Sequence, residues 1–134
     1  MIRTAVDSSV LLDVFAADSV HGEVSLRALQ IAWNEGSLVA CEVVWAEIRP
    51  RFEKEGDMLA ATEKIQLGYD FLQQAAALKA GKIFKKYRSG GGKKERMIPD
   101  FLIGAHAALQ ADRLLTRDRG FYRSYFSDLK IFEP

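Results

Sequence analysis

Alternation between short β-prone runs and helical periodicity constrains this chain more than any other feature. Ile2 to Val6 is such a run, and the SSVLLDVFA after it places Val10, Leu11 and Val14 at helical spacing. His21 to Glu35 repeats the helical pattern through Val24, Leu26, Leu29, Ala32 and Trp33, and stops at Gly36. SLVAC reads as a second strand leading into a helix through Val44, Ile48 and Phe52, which Pro50 interrupts by removing a donor and crowding the preceding turn. Asp57 to Gln66 predicts a short helix ended by Gly68, and Tyr69 to Arg88 a third helix weakened at Gly81; the pattern leaves open a short strand at Leu67 to Tyr69. SGGGKKE is a loop, and a helix starts at Pro99. DRLLT then reads as a strand, RDRGFYRSYF as a turn with at most one helical turn, and LKIF as the last strand. Strands alternating with helices imply an α/β fold, a parallel sheet covered by helices on both faces. Ligands of such folds bind beyond the carboxyl ends of the strands, near the point where strand order reverses.

With 134 residues, 49% of them hydrophobic, the chain suits a single domain over 1–134. The longest nearly apolar run, Phe101 to Leu109, falls far short of the roughly 18 residues of a membrane span. MIRTAVDSS lacks the pattern of a signal peptide, so a cytoplasmic protein without membrane association is expected. Cys41 is the only cysteine, which excludes an internal disulfide and a multi-thiolate metal site. Net charge is only +1, yet Lys79 to Arg96 holds eight Lys or Arg against Glu95, a block of +7 that leaves −6 for the rest. Such a block favours a polyanion, and Lys93, Lys94 and Arg96 are its candidate phosphate contacts. Arg117 is a further candidate phosphate contact.

Four acids stand where chemistry is expected. Asp7 directly follows the first strand, and Asp118 lies two residues beyond Thr116, the end of DRLLT, so both belong at one sheet edge. Glu47 shares a helix face with Val44 and Ile48 below that edge and is expected to point toward the body of the protein. Asp100 opens an otherwise apolar helix whose antiparallel packing sets its amino end beside the same strand ends. Two unit charges about 4 Å apart repel by roughly 4 kcal/mol at an effective dielectric near 20. A helix-dipole gain of about 0.3–1 kcal/mol does not offset that. Four gathered carboxylates therefore imply bound cations or raised pKa values. An oxygen-only donor set suits Mg²⁺ or Mn²⁺, and such ions can polarise a phosphodiester and generate hydroxide. Each acid also has a structural explanation: Asp7 as a helix cap, Asp118 as a turn residue, Glu47 as a partner of Arg51.

The stretches TAVDSSVLLDVF, VVWAEI, PDFLIGAHAALQADRLLTRDRGFY and LKIFEP resemble the PIN-domain ribonucleases, and most closely the VapC toxins of toxin–antitoxin pairs. The likeness spans nearly the whole chain. It implies a PIN-like three-layer α/β/α fold with about five parallel strands, and Mg²⁺- or Mn²⁺-dependent endonucleolytic cleavage of RNA. A cognate antitoxin as inhibitor is implied too, and a homodimer is expected. By the same resemblance the catalytic and metal-binding acids are Asp7, Glu47, Asp100 and Asp118, with Thr116 as the hydroxyl that supports them. Many members carry Asn two residues after the first acid; here that position is Ser9, a shorter hydroxyl able to hydrogen-bond a ligand, whereas Ser8 is the poorer candidate. His21 and His106 read as surface or structural residues. Haloacid-dehalogenase and receiver-domain patterns both fail, the first because it wants a second acid where Ser9 stands. The competing reading from another class is a non-catalytic RNA-binding module of the same fold, in which the basic block carries affinity and the acids hold structure.

Overall fold

The structure is a computed structural model that describes residues 1–91 and 97–134. Five parallel strands form one sheet in the order β3-β2-β1-β4-β5: β1 is Ile2–Val6, β2 Gly36–Ala40, β3 Leu67–Tyr69, β4 Arg113–Leu115 and β5 Ile131–Phe132. The helices are α1 Ser8–Phe15, α2 Gly22–Glu35, α3 Glu42–Ile48, α4 Glu55–Lys64, α5 Gln74–Ser89, α6 Ile98–Gln110 and α7 Arg119–Tyr125. Right-handed crossovers that run outward from β1 to β3, then back through β4 to β5, place α1, α2 and α4 on one face and α5, α6 and α7 on the other. The layers are those of a PIN-like α/β/α sandwich.

Buried aliphatic residues of the central strands, among them Ala5, Val6, Leu38, Val39, Leu114 and Leu115, form the middle of the core. Both faces of these strands are covered, which is why they read as continuous apolar runs rather than alternating ones. Phe101 of α6 contacts Phe84 and Tyr87 of α5 and Phe121 and Tyr125 of α7 in edge-on or tilted pairs, centroids 5.1–6.2 Å apart, so that face is tied together by rings. Gly36 joins α2 to β2 without a loop, and a Cβ there would collide with the backbone of Ile2.

Several boundaries differ from the sequence reading. Helix α3 stops at Ile48 and a 3₁₀ turn, Arg49–Arg51, carries Pro50, as the missing donor requires. Helix α4 ends at Lys64, so Gly68 is not a helix stop: it lies inside β3, 3.3 Å in Cβ terms from the Leu38 carbonyl. Helix α5 begins only at Gln74, because Leu67–Tyr69 pairs with Leu38–Ala40 and the chain then crosses back over the sheet. RDRGFYRSYF holds a full seven-residue helix, stabilised by burying Phe121 and Tyr122. Among the described residues no helix is long and apolar enough to cross a membrane.

Candidate active site

Strand order reverses at β1 and β4, and the residues just beyond their carboxyl ends build the site. The Asp7 amide donates to the Leu115 carbonyl at 3.0 Å, the last rung before the strands part. Asp7 then occupies the N-cap position of α1, but its side chain makes no capping bond. That side chain turns inward, only 7% of the residue is exposed, and it accepts the Thr116 hydroxyl at 2.7 Å. The Ser9 and Ser8 hydroxyls lie at 3.4 and 3.5 Å, at the outer limit of hydrogen bonding. Thr116 is fully buried, and its Oγ1 also accepts the Asp118 amide at 3.0 Å, so one hydroxyl links the two acids' segments. Asp118 sits at the N-cap position of α7, again with no side-chain capping bond. Asp100 lies in the first turn of α6, behind Pro99.

A cleft of about 370 Å³ is lined by Asp7, Ser8, Ser9, Asp100, Arg117 and Asp118. Burial pushes the Asp7 carboxyl above the ordinary range, the charges of Asp100 and Asp118 push it further, and the Thr116 hydroxyl and Ser8 amide oppose them. Desolvation likewise raises Glu47, with Asp7 and Asp100 adding repulsion against a hydrogen bond from the Ser8 side chain. Asp7 is therefore coupled by repulsion to all three other acids, and Asp100 to Asp7 and Glu47. Glu47, expected to point toward the body of the protein, is exposed and is not among the residues lining the cleft; the buried stripe of α3 is Val44 and Ile48 alone. Ser8, the poorer candidate in sequence, faces both Asp7 and Glu47.

Among the described residues no three His, Cys, Asp or Glu close into a ready-made metal site. The donor set nonetheless fits a hard divalent cation that keeps several waters: it is all oxygen and predominantly carboxylate, with Asp7 and Glu47 raised in pKa chiefly by burial and further by their acidic neighbours. Among the described residues Arg117 is the one cation lining the cleft, and its Nε and Nη2 donate to the two carboxyl oxygens of Asp13 at 2.7 and 3.0 Å. Asp13, buried on α1 and holding the Ser25 hydroxyl at 2.8 Å, is absent from the sequence reading. Its signal was an acid inside the apolar run VLLDVF. Lys93, Lys94 and Arg96, with most of the SGGGKKE loop, lie outside the described residues. The remainder of the basic block is α5, where Lys82, Lys85, Lys86 and Arg88 are exposed and Lys79 pairs with Asp128 at 3.1 Å. His106 is buried against Asp70, Nε2 to Oδ2 2.8 Å, in a cluster with Arg3 and Gln110.

The PIN domain pattern matches residues 4–127. Comparison with curated proteins finds no match. Among solved structures, VapBC2 from Rickettsia felis bound to a promoter DNA fragment aligns with a TM-score of 0.77 at 12% identity, covering 99% of each chain. VapBC-1 from nontypeable Haemophilus influenzae gives 0.70 at 18% identity and 98% of each chain. A toxin–antitoxin complex from Klebsiella pneumoniae gives 0.70 at 16% and 94% of each chain. At these identities the solved structures share the fold, while the sequence pattern spans nearly the whole chain, and on that ground this protein belongs to the PIN-domain family.

Proposed function

We propose that this chain is a Mg²⁺- or Mn²⁺-dependent endoribonuclease, the toxin of a toxin–antitoxin pair, acting in the cytoplasm as a homodimer restrained by a cognate antitoxin. The observation that carries the reading is Asp7: buried, held by Thr116 instead of capping its helix, and pushed up in pKa with Asp100 and Asp118 facing it. An acid kept for capping would bond the first turn of α1, and one kept for stability would not sit opposite two others. The partner proposal is supported by the neighbours of like fold, which were solved as toxin–antitoxin complexes.

Asp7, Asp100, Asp118 and Glu47 would hold the cation. Bound there, it would supply the positive charge that polarises a phosphodiester and makes water a nucleophile at neutral pH. Thr116 fixes Asp7 Oδ2, so the carboxylate needs no rearrangement when the charge arrives. Exposed Lys82, Lys85, Lys86 and Arg88 of α5, packed against the helix that carries Asp100, would grip the RNA backbone with Lys93, Lys94 and Arg96. Incubation of the purified protein with total cellular RNA, with Mn²⁺ or with EDTA, tests this. Cleavage is expected only with the metal, and is expected to vanish in Asp100→Asn while that variant folds normally. Wild-type rates in Asp100→Asn would remove the acids from the chemistry, and RNA binding without any cleavage would make the chain a binding module.

A further inference from the structure

A second cavity, about 250 Å³, is lined by His21, Val24, Ser25, Arg117, Glu133 and Pro134. Arg117 also lines the acidic cleft, so one guanidinium forms a wall common to both. Asp13 fixes that guanidinium through two hydrogen bonds, and Ser25 fixes Asp13. Three segments thus converge on a single arginine: α1, α2 and the turn between β4 and α7. Burying an acid to meet a partly exposed arginine is a weak source of stability, since desolvation offsets much of the attraction. Orientation is what the pair supplies. A guanidinium held along its Nε–Nη2 edge presents Nη1 at the opposite edge, in a fixed plane.

We propose that Arg117, positioned by Asp13, grips the RNA phosphate next to the scissile one, and that the second cavity seats the unpaired nucleotide beyond it. This rests on the ribonuclease reading and adds a specificity subsite to it. The lining suits one base: a guanidinium plane for stacking, apolar Val24 and Pro134, and the polar edges of His21 and Glu133. Its volume lies below the roughly 300–1,000 Å³ of pockets that take drug-sized ligands, which favours a single base over a larger molecule. Glu133, paired through Oε1 with Arg119 at 2.9 Å, can only accept hydrogen bonds. It therefore accepts from an N–H of the seated base, and favours guanine, whose N1–H and exocyclic amine lie side by side on one edge.

Two readouts on the full chain test the subsite. One is the affinity for a fluorescent single-stranded RNA, by anisotropy in EDTA; the other is the set of cut positions in a randomised RNA pool after incubation with Mn²⁺. Arg117→Lys keeps the charge and loses the fork, Asp13→Asn weakens its anchor, and Val24→Trp fills the cavity from an exposed position on α2. Arg117→Lys and Asp13→Asn are each expected to weaken binding about tenfold, and the double variant little more than either, because the two act as one unit. Val24→Trp is expected to erase the base preference at one position beside the cut. Unchanged affinity and unchanged cut positions in Arg117→Lys and Val24→Trp, both melting like the wild type, would overturn the subsite. A wild type that cuts no RNA would overturn the ribonuclease reading instead, and the anisotropy series would still decide whether the cavity holds a nucleotide.

Discussion

Thr116 has one hydroxyl and two tasks, donating to Asp7 and accepting from the Asp118 amide. Thr116→Val keeps the shape and removes both bonds, so metal affinity and cleavage should each fall about 10–100-fold, as for other residues that orient a ligand. Isothermal titration with Mn²⁺ and a cleavage assay on the same preparation check this; an unchanged affinity would make the hydroxyl merely structural. The Asp7 carboxyl adds a pH dependence whose sign is fixed. Its folded pKa is raised above the ordinary 3.8, so the native state keeps a proton that the unfolded chain has lost. That contribution favours folding below the raised value and is lost as pH climbs through it. In EDTA, the wild type should therefore lose stability relative to Asp7→Asn as pH rises from about 4 toward neutrality, read from melting curves of both. Parallel curves would contradict it. Comparison of the two proteins cancels Asp70, whose carboxyl is raised by burial but held below its ordinary value overall by His106 and Arg3, and which loses stability on acidification. Of these residues, the sequence shows Asp7, Asp100 and Asp118 through their places at strand and helix ends. Asp13 escapes it and Ser8 is ranked too low by it, because their roles depend on Arg117 and Glu47, which are remote in sequence and meet them only after folding.

Elements were legible where the period was long and illegible where tertiary contacts decide. The strands Ile2–Val6 and Gly36–Ala40 and the helix from Ile98 follow from apolar pattern and from Gly and Pro punctuation. Strand β3 is three residues long with glycine at its centre, too short to show a period, and exists because β2 offers it a partner. Helix α7 opens inside the polar RDRG, and its burial of Phe121 against Phe101 of α6, and of Tyr122, overrides a local preference for a turn. The α6 to α7 packing is itself testable at Gly104, where a Cβ would lie 2.5 Å from the ring of Phe126, a residue 1% exposed. Gly104→Ala should destabilise the protein by roughly 1–3 kcal/mol despite alanine's better helix propensity, because the ring has nowhere to go. Urea unfolding should show a lower midpoint with an unchanged slope, and Gly104→Ala/Phe126→Leu should recover part of the loss. A neutral or stabilising Gly104→Ala would mean the two helices are free to slide.

Across the whole molecule, topology turns scattered acids into one centre. Parallel strands put every carboxyl end on one edge, and the reversal between β1 and β4 opens the crevice there, so Asp7 and Asp118, 111 positions apart in sequence, face each other. Helix α6 brings Asp100 to the same edge by its antiparallel return to β4. The repulsion that Asp100 and Asp118 exert on Asp7 is one that a bound cation would relieve, so the proposed centre is measurable without any knowledge of the RNA. A cation that binds only the native state raises stability by RT ln(1 + [L]/Kd), about 2.7 kcal/mol at a hundredfold excess over Kd. The decisive measurement is the melting temperature as a function of Mn²⁺ and Mg²⁺ concentration, for the wild type and for Asp7→Asn/Asp118→Asn. The wild type should rise with millimolar metal, while the double variant should melt higher than the wild type in EDTA and respond little to either ion. A wild type indifferent to both ions, or a double variant that rises as steeply as the wild type, would contradict a metal centre at this sheet edge.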